Sequence, residues 1–278
     1  MARSASPARL GLGSYAFRWS IGIGERRPPV PMSAAEVLEA AAALGFELVQ
    51  YADNLPLHEL PEAELETLGE RAAALGLVLE IGQQGADMEL LARYLDIASR
   101  LGASLVRLAL DAADAAEGQD ALRRAFDRAA ESAAARGVTL AIENHFGFPS
   151  ERLASLITSV DSEHLGVCLD VANSICAGEW PEETIGRLAP YTVNLHLKDY
   201  DIVPDPHGVG FRVLGTPLGE GRLDIGEVIA TLEGARRDYN VVLEHWLPGD
   251  DGLDALAARE REWIARSASV ARERLGRS

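Results

Sequence analysis

Short apolar runs alternate with segments of helical period along the whole chain. The first four runs are 9–17 (RLGLGSYAF), 46–52 (FELVQYA), 77–84 (LVLEIGQQ) and 104–110 (SLVRLAL). Four more follow at 139–145 (TLAIENH), 165–173 (LGVCLDVAN), 192–199 (TVNLHLKD) and 240–246 (NVVLEHW). Val, Leu and Ile dominate each run and leave little room for a solvated face, which is the pattern of parallel strands covered on both sides. Ala- and Glu-rich stretches separate them. Ser33 predicts a helix start, with Glu36 completing a capping box, and Gly45 predicts its stop. The punctuation recurs as Ala-Leu-Gly at 74–76, Arg-Leu-Gly at 100–102 and Ala-Arg-Gly at 135–137. Each time glycine closes a helix and a strand follows.

Eight such units predict an α/β fold, a single (β/α)8 barrel over residues 1–278. The final stretch, GLDALAAREREWIARSASVARERLG, predicts a long closing helix with its charges outward. A doubly wound open sheet is the rival. It needs a glycine-rich phosphate loop after the first strand, and GLGSYAFRWS offers no third glycine before a helix. No Pro/Ser-rich linker divides the chain.

Composition narrows the function. With 278 residues, 47% hydrophobic, the chain has ample material for a large core. Its formal charge of −17 repels phosphate backbones, so no nucleic-acid partner is expected. Cys168 and Cys176 form no disulfide framework, and Cys168, inside LGVCLDV, reads as a core thiol. No apolar segment reaches signal-peptide or transmembrane length, so a cytoplasmic protein with no membrane partner is expected.

The last four runs each place a metal-capable side chain at the C-terminal end of a strand. These are Glu143 after LAI, Asp170 after GVCL, His196 after VNL and Glu244 after VVL. Barrel enzymes carry their chemistry at that end. One strand-end carboxylate is readily explained as a helix cap; four successive strands are not. Three carboxylates converging near the axis repel each other and must take up protons or a cation. One divalent ion held by oxygens and an imidazole resolves the conflict, and such a donor set accepts Mn2+, Mg2+, Co2+ or Zn2+.

IENH, CLDVAN, LHLKD and VLEHW, in this order and on these strands, resemble the sugar phosphate isomerase/epimerase superfamily of xylose isomerase-like TIM barrels. The resemblance implies one divalent metal, foremost manganese, on Glu143, Asp170, His196 and Glu244. It also implies Glu143 and Glu244 as a catalytic acid/base pair, and a homodimer or homotetramer. The activity expected is a metal-dependent sugar isomerase or epimerase, moving a proton next to a carbonyl through a metal-stabilised enediolate. The alternative is a lyase of the same fold, a decarboxylase or dehydratase of a 3-oxo sugar acid. Two positions depart from the epimerases of free ketohexoses: Pro149 stands where they carry a second Glu, and Asn173 where they carry His. Apurinic endonucleases share the barrel but need histidines on the early strands, where this chain reads QYADN and EIGQQ.

The surrounding shell suggests a small sugar or sugar acid as substrate. Lys198, two residues beyond His196, points the same way, and the inserted PDPHGVGFR adds His207 and Arg212 on a loop expected to reach the mouth. All three would offer cations to a carboxylate or phosphate. Tyr15, with Phe17 and Trp19, would stack on a sugar ring. Gln50 and Arg107 would hydrogen-bond hydroxyls, and His145 would face the site while His245 turns away into packing.

Overall fold

The structure, a computed structural model, describes residues 8–235 and 237–277. Eight parallel strands close into a barrel. They are β1 (Leu10–Gly13), β2 (Leu48–Tyr51), β3 (Val78–Gln84), β4 (Leu105–Ala109), β5 (Thr139–Glu143), β6 (Leu165–Asp170), β7 (Thr192–Leu197) and β10 (Asn240–Leu243). Closure falls on β1, where Gly11 sits opposite Leu48 on one side and Val242 on the other. The intervening β8 (Asp199–Pro204) and β9 (Phe211–Thr216) form a separate antiparallel hairpin.

The helices are α1 (Arg18–Ile21), α2 (Ala34–Ala43), α3 (Glu62–Leu75), α4 (Met88–Leu101), α5 (Ala112–Ala116) and α6 (Gln119–Ala134). They continue with α7 (Ser150–Val160), α8 (Pro181–Leu188), α9 (Ile225–Ala235) and α10 (Leu253–Arg274). The predicted capping box at α2 is present: Ser33 N–H donates to Glu36 Oε2 at 2.8 Å, and Glu36 N–H donates to Ser33 Oγ at 3.3 Å. Gly76 and Gly102 close α3 and α4 in the left-handed region, at φ of 70° and 65°, which only glycine enters without strain. Helices bury stripes of helical period against the sheet. On α4 these are Leu91, Leu95 and Ala98, at i, i+4 and i+7. Among the described residues no helix is long and apolar enough to cross a membrane.

The structure departs from the sequence pattern in three places. The first run stops being a strand at Gly13 and continues as a 3-10 turn over Ser14–Phe17 and then α1. The insertion after β7 is an ordered hairpin rather than a loop. The closing helix α10 turns one charge inward, since Glu260 is buried at 1% exposure. Its carboxylate accepts Trp19 N–H at 2.5 Å and Ser20 N–H and Oγ–H at 3.0 and 2.6 Å, tying α10 to α1.

Candidate metal centre

Adjacent barrel strands β5, β6, β7 and β10 bring the four strand-end residues together. Asp170 and His196 lie directly opposite each other across β6 and β7. Glu143 ends β5, and Glu244 follows β10 with its N–H still on Leu197 O, extending the ladder by one residue. All four are buried, at 3% exposure or less. His196 Nδ1 is the pivot. It stands 3.6 Å from Glu143 Oε2, 3.8 Å from Asp170 Oδ2 and 3.4 Å from Glu244 Oε2. Ligands about 2.1 Å from a shared cation stand roughly 3–4 Å from one another, so these spacings suit a metal. His196 Nδ1 has no hydrogen-bond partner, and neither does Glu244 Oε1. Buried polar atoms are rarely left so, and the residues fit a divalent cation.

The layer beneath fixes which nitrogen faces the carboxylates. Gln50 Nε2 donates to Glu80 Oε2 at 2.9 Å, and a carboxylate can only accept. Gln50 Oε1 is therefore the end that meets His196 Nε2, at 2.7 Å. In the neutral ring the proton therefore sits on Nε2, which leaves the Nδ1 lone pair for a metal. Glu80 is fully buried and takes further donors from Asn194 Nδ2 and Asn240 Nδ2, each at 2.7 Å. Burial pushes its carboxyl up, and the Asn240, Gln50 and Asn194 amides hold it back. Asn144 braces Asp170 from the side, donating to its carbonyl at 2.8 Å and accepting its N–H at 2.7 Å.

Cations line the other flank. Arg107 binds Glu143 through Nε and Asp53 through Nη1, the latter at 3.0 Å. Lys198 Nζ lies 2.6 Å from Asp170 Oδ2 and 3.0 Å from Glu244 Oε2, with the Trp246 ring centroid 5.0 Å away. Burial would raise the Asp170 carboxyl, but Lys198 and then His196 outweigh it and hold it well below the carboxylate range. Glu244 is lowered in the same way, by His196 and Lys198 against burial. Burial opposes a charge on His196, yet the surrounding acidic groups raise its pKa well above the imidazole range. Burial also pushes the Cys168 thiol up to about 12, so it stays protonated, with Sγ 3.3 Å from Asn194 Oδ1. Four carboxylates here (Asp53, Glu143, Asp170, Glu244) face two permanent cations. Within this ion-paired set the negative charge is in excess, which favours binding of a cation.

Above these groups opens a cavity of about 330 Å³, lined by Tyr15, Arg18, Asp53, Arg107, Glu143, His145, Asn173, Lys198, Glu244 and Trp246 among others. A more apolar cleft of about 390 Å³ continues outward and shares Arg18, Phe146 and Trp246 with it. Tyr15 faces the inner cavity with its hydroxyl on Asp53 Oδ2 at 2.8 Å. Phe17 is buried in the core instead, and Trp19 lines only the outer cleft. His145 lines the cavity, stacked on Phe146 at 4.4 Å.

Gln50, expected to meet substrate hydroxyls, points into the barrel instead, because Glu80, Asn194 and His196 use its whole amide. His207 and Arg212, expected at the mouth, sit on the exposed end of the β8–β9 hairpin and line neither cavity. The hairpin pairs Pro204 with Phe211, so its tight turn carries His207 outward, and Arg212 lies 3.7 Å from Asp205. His245 packs its ring against α10, with Nε2 2.9 Å from Ser267 Oγ, and also contributes to the lining of the inner cavity. Asn173 donates to Glu143 Oε1 at 2.7 Å. Glu80, Asp53 and Arg18 were not singled out from the sequence. Glu80 alone left a trace there, as a charge inside an apolar run.

A family described as xylose isomerase-like TIM barrel matches residues 38–267. The chain is 32% identical to the 3-oxo-isoapionate decarboxylase of Pectobacterium atrosepticum, with 93% of both chains covered. Among solved structures it resembles a xylose isomerase-like barrel protein from Mycobacterium smegmatis in complex with magnesium, at 19% identity and TM-score 0.68, covering 97% of this chain and 98% of that one. It also resembles a D-psicose 3-epimerase crystallised with D-fructose, at 17% identity and TM-score 0.72, covering 96% and 99%. Closed barrel, strand-end quartet and family match agree: the chain belongs to the xylose isomerase-like TIM barrel family.

Proposed function

We propose that the protein is a metal-dependent lyase that decarboxylates a 3-oxo sugar acid. The observation that carries this reading is the pairing of the site's carboxylates with buried cations: Arg107 on Glu143, and Lys198 on Asp170 and Glu244. Glu244, which His196 and Lys198 hold below the ordinary carboxylate range against burial, is a weak base toward a C–H bond. Loss of carbon dioxide needs no such base. Glu143, Asp170, His196 and Glu244 would hold the metal, which when bound supplies a Lewis acid toward a carbonyl and its neighbouring hydroxyl.

In this reading the bond between the carboxylate carbon and its neighbour breaks. Its electron pair passes into the adjacent 3-oxo group, and a proton then returns to the carbon that lost carbon dioxide. In this reading Lys198, which lines the cavity, would supply that proton. Asn173 and Arg107 hold the Glu143 carboxylate in a fixed orientation. The relative from Pectobacterium atrosepticum, a decarboxylase of an oxo acid, supports the same choice.

The second reading, a sugar isomerase or epimerase, draws on Glu143 and Glu244 both lining the cavity. It requires one of them to leave its cation and take a C–H proton. Incubation of the manganese-loaded protein in D2O with 3-oxo sugar acids and with ketoses separates the two. We expect carbon dioxide from an oxo acid, with one solvent deuterium on the product carbon for each one released. Deuterium entering a ketose, with every carbon retained and no carbon dioxide from the acids, would establish the second reading instead.

A further inference from the structure

We propose that Arg18 is an anion subsite that binds the carboxylate of the substrate. The other cations of the inner cavity are already spent: Arg107 on Glu143 and Asp53, Lys198 on Asp170 and Glu244. Arg18 lines both the inner cavity and the outer cleft, at their junction. Among the described residues no carboxylate pairs with it, and its buried Nε has no hydrogen-bond partner. Glu260 contributes charge nearby, but its oxygens are held by Trp19 N–H and Ser20. The guanidinium is not loose, because it lies over the Trp19 ring at 4.9 Å, and that indole is anchored to Leu247 O at 3.0 Å.

A half-buried guanidinium without an anion is costly to keep. Burial accordingly lowers the Arg18 pKa, against the pull of Tyr15 and Glu260. A planar fork lying over an aromatic ring at the junction of two cavities, with no carboxylate paired to it, suits bidentate recognition of a carboxylate. A sugar acid seated with its carboxylate at Arg18 would direct its oxygenated chain toward Glu143, Lys198 and Glu244, which line the same cavity. The carboxylate is consumed as neutral carbon dioxide, so the subsite binds substrate and releases product.

This inference rests on a sugar acid as substrate, but its test does not require turnover. An unreactive aldonate and the alditol of the same carbon number would be titrated calorimetrically into the manganese-loaded wild type, Arg18→Gln and Arg18→Lys. We expect the wild type to prefer the aldonate. Arg18→Gln should weaken aldonate binding about 10- to 100-fold, the scale of lost charge-assisted hydrogen bonds, and leave alditol binding within about twofold. Arg18→Lys should fall between them. Equal alditol binding across the three proteins reports an intact site. A wild type without preference for the acid overturns the subsite, as does an Arg18→Gln protein that keeps the preference. Oxo acids that are not decarboxylated, alongside Arg18-dependent aldonate binding, would instead overturn the decarboxylase reading and leave the subsite standing.

Discussion

His196 is useful to a metal only if Nδ1 is bare, and its neighbours decide that. Glu80 accepts from Gln50, Gln50 accepts from His196 Nε2, and the ring cannot turn without breaking the chain. Glu80→Gln places an amide where three N–H donors converge and removes the reason for Gln50 to present its oxygen. We expect about a 10- to 100-fold loss of manganese affinity, the usual cost of removing such an orienting partner, measured by calorimetry on an otherwise folded protein. The four candidate ligands stood out in the sequence because each ends an apolar run abruptly, and the structure brings them together. Glu80 was legible only as an anomaly inside LVLEIGQQ. Arg18 gave no signal, since its role depends on which other cations are already paired, and pairing is a property of three dimensions.

Elements announced by local rules were read correctly, while those shaped by distant contacts were not. The α2 capping box needs only Ser33 and Glu36. Ser33→Ala should cost about 1 kcal/mol of stability, read as a lower midpoint in urea unfolding. The β8–β9 hairpin is different, for nothing near PDPHGVGFR says where the ribbon will lie. Its base is fixed by Gly215, where a Cβ would stand 2.4 Å from Trp246 O. This close approach seats the hairpin against the wall of the outer cleft and leaves its tip in solvent. The paired substitution His207→Ala with Arg212→Ala should leave KM for the substrate within about twofold, because one exposed side chain and one surface ion pair contribute little. A tenfold rise in KM would place the tip over the cavity during turnover.

The whole barrel is organised around a charge deficit at the C-terminal end of β5, β6, β7 and β10. Without a cation, a proton on His196 supplies part of the missing positive charge, which is why the acidic groups around it raise its pKa. A raised pKa contributes stability that is complete below the unfolded value of about 6.5 and is lost as pH rises through the folded value. Asp170 and Glu244, both lowered, act in the opposite sense: their contribution is present above the ordinary carboxylate range of about 4 and is lost in acid. A metal held by His196 would compete with that proton, so metal affinity is expected to increase with pH through the folded value. The most direct measurement is calorimetric titration of Mn2+ into chelator-stripped protein at a series of pH values, for the wild type and for Glu244→Gln. The account predicts one ion per chain, affinity that strengthens as pH rises, and binding weakened by at least about tenfold in Glu244→Gln. Undiminished binding by Glu244→Gln, or affinity in the wild type that does not change with pH, would contradict it.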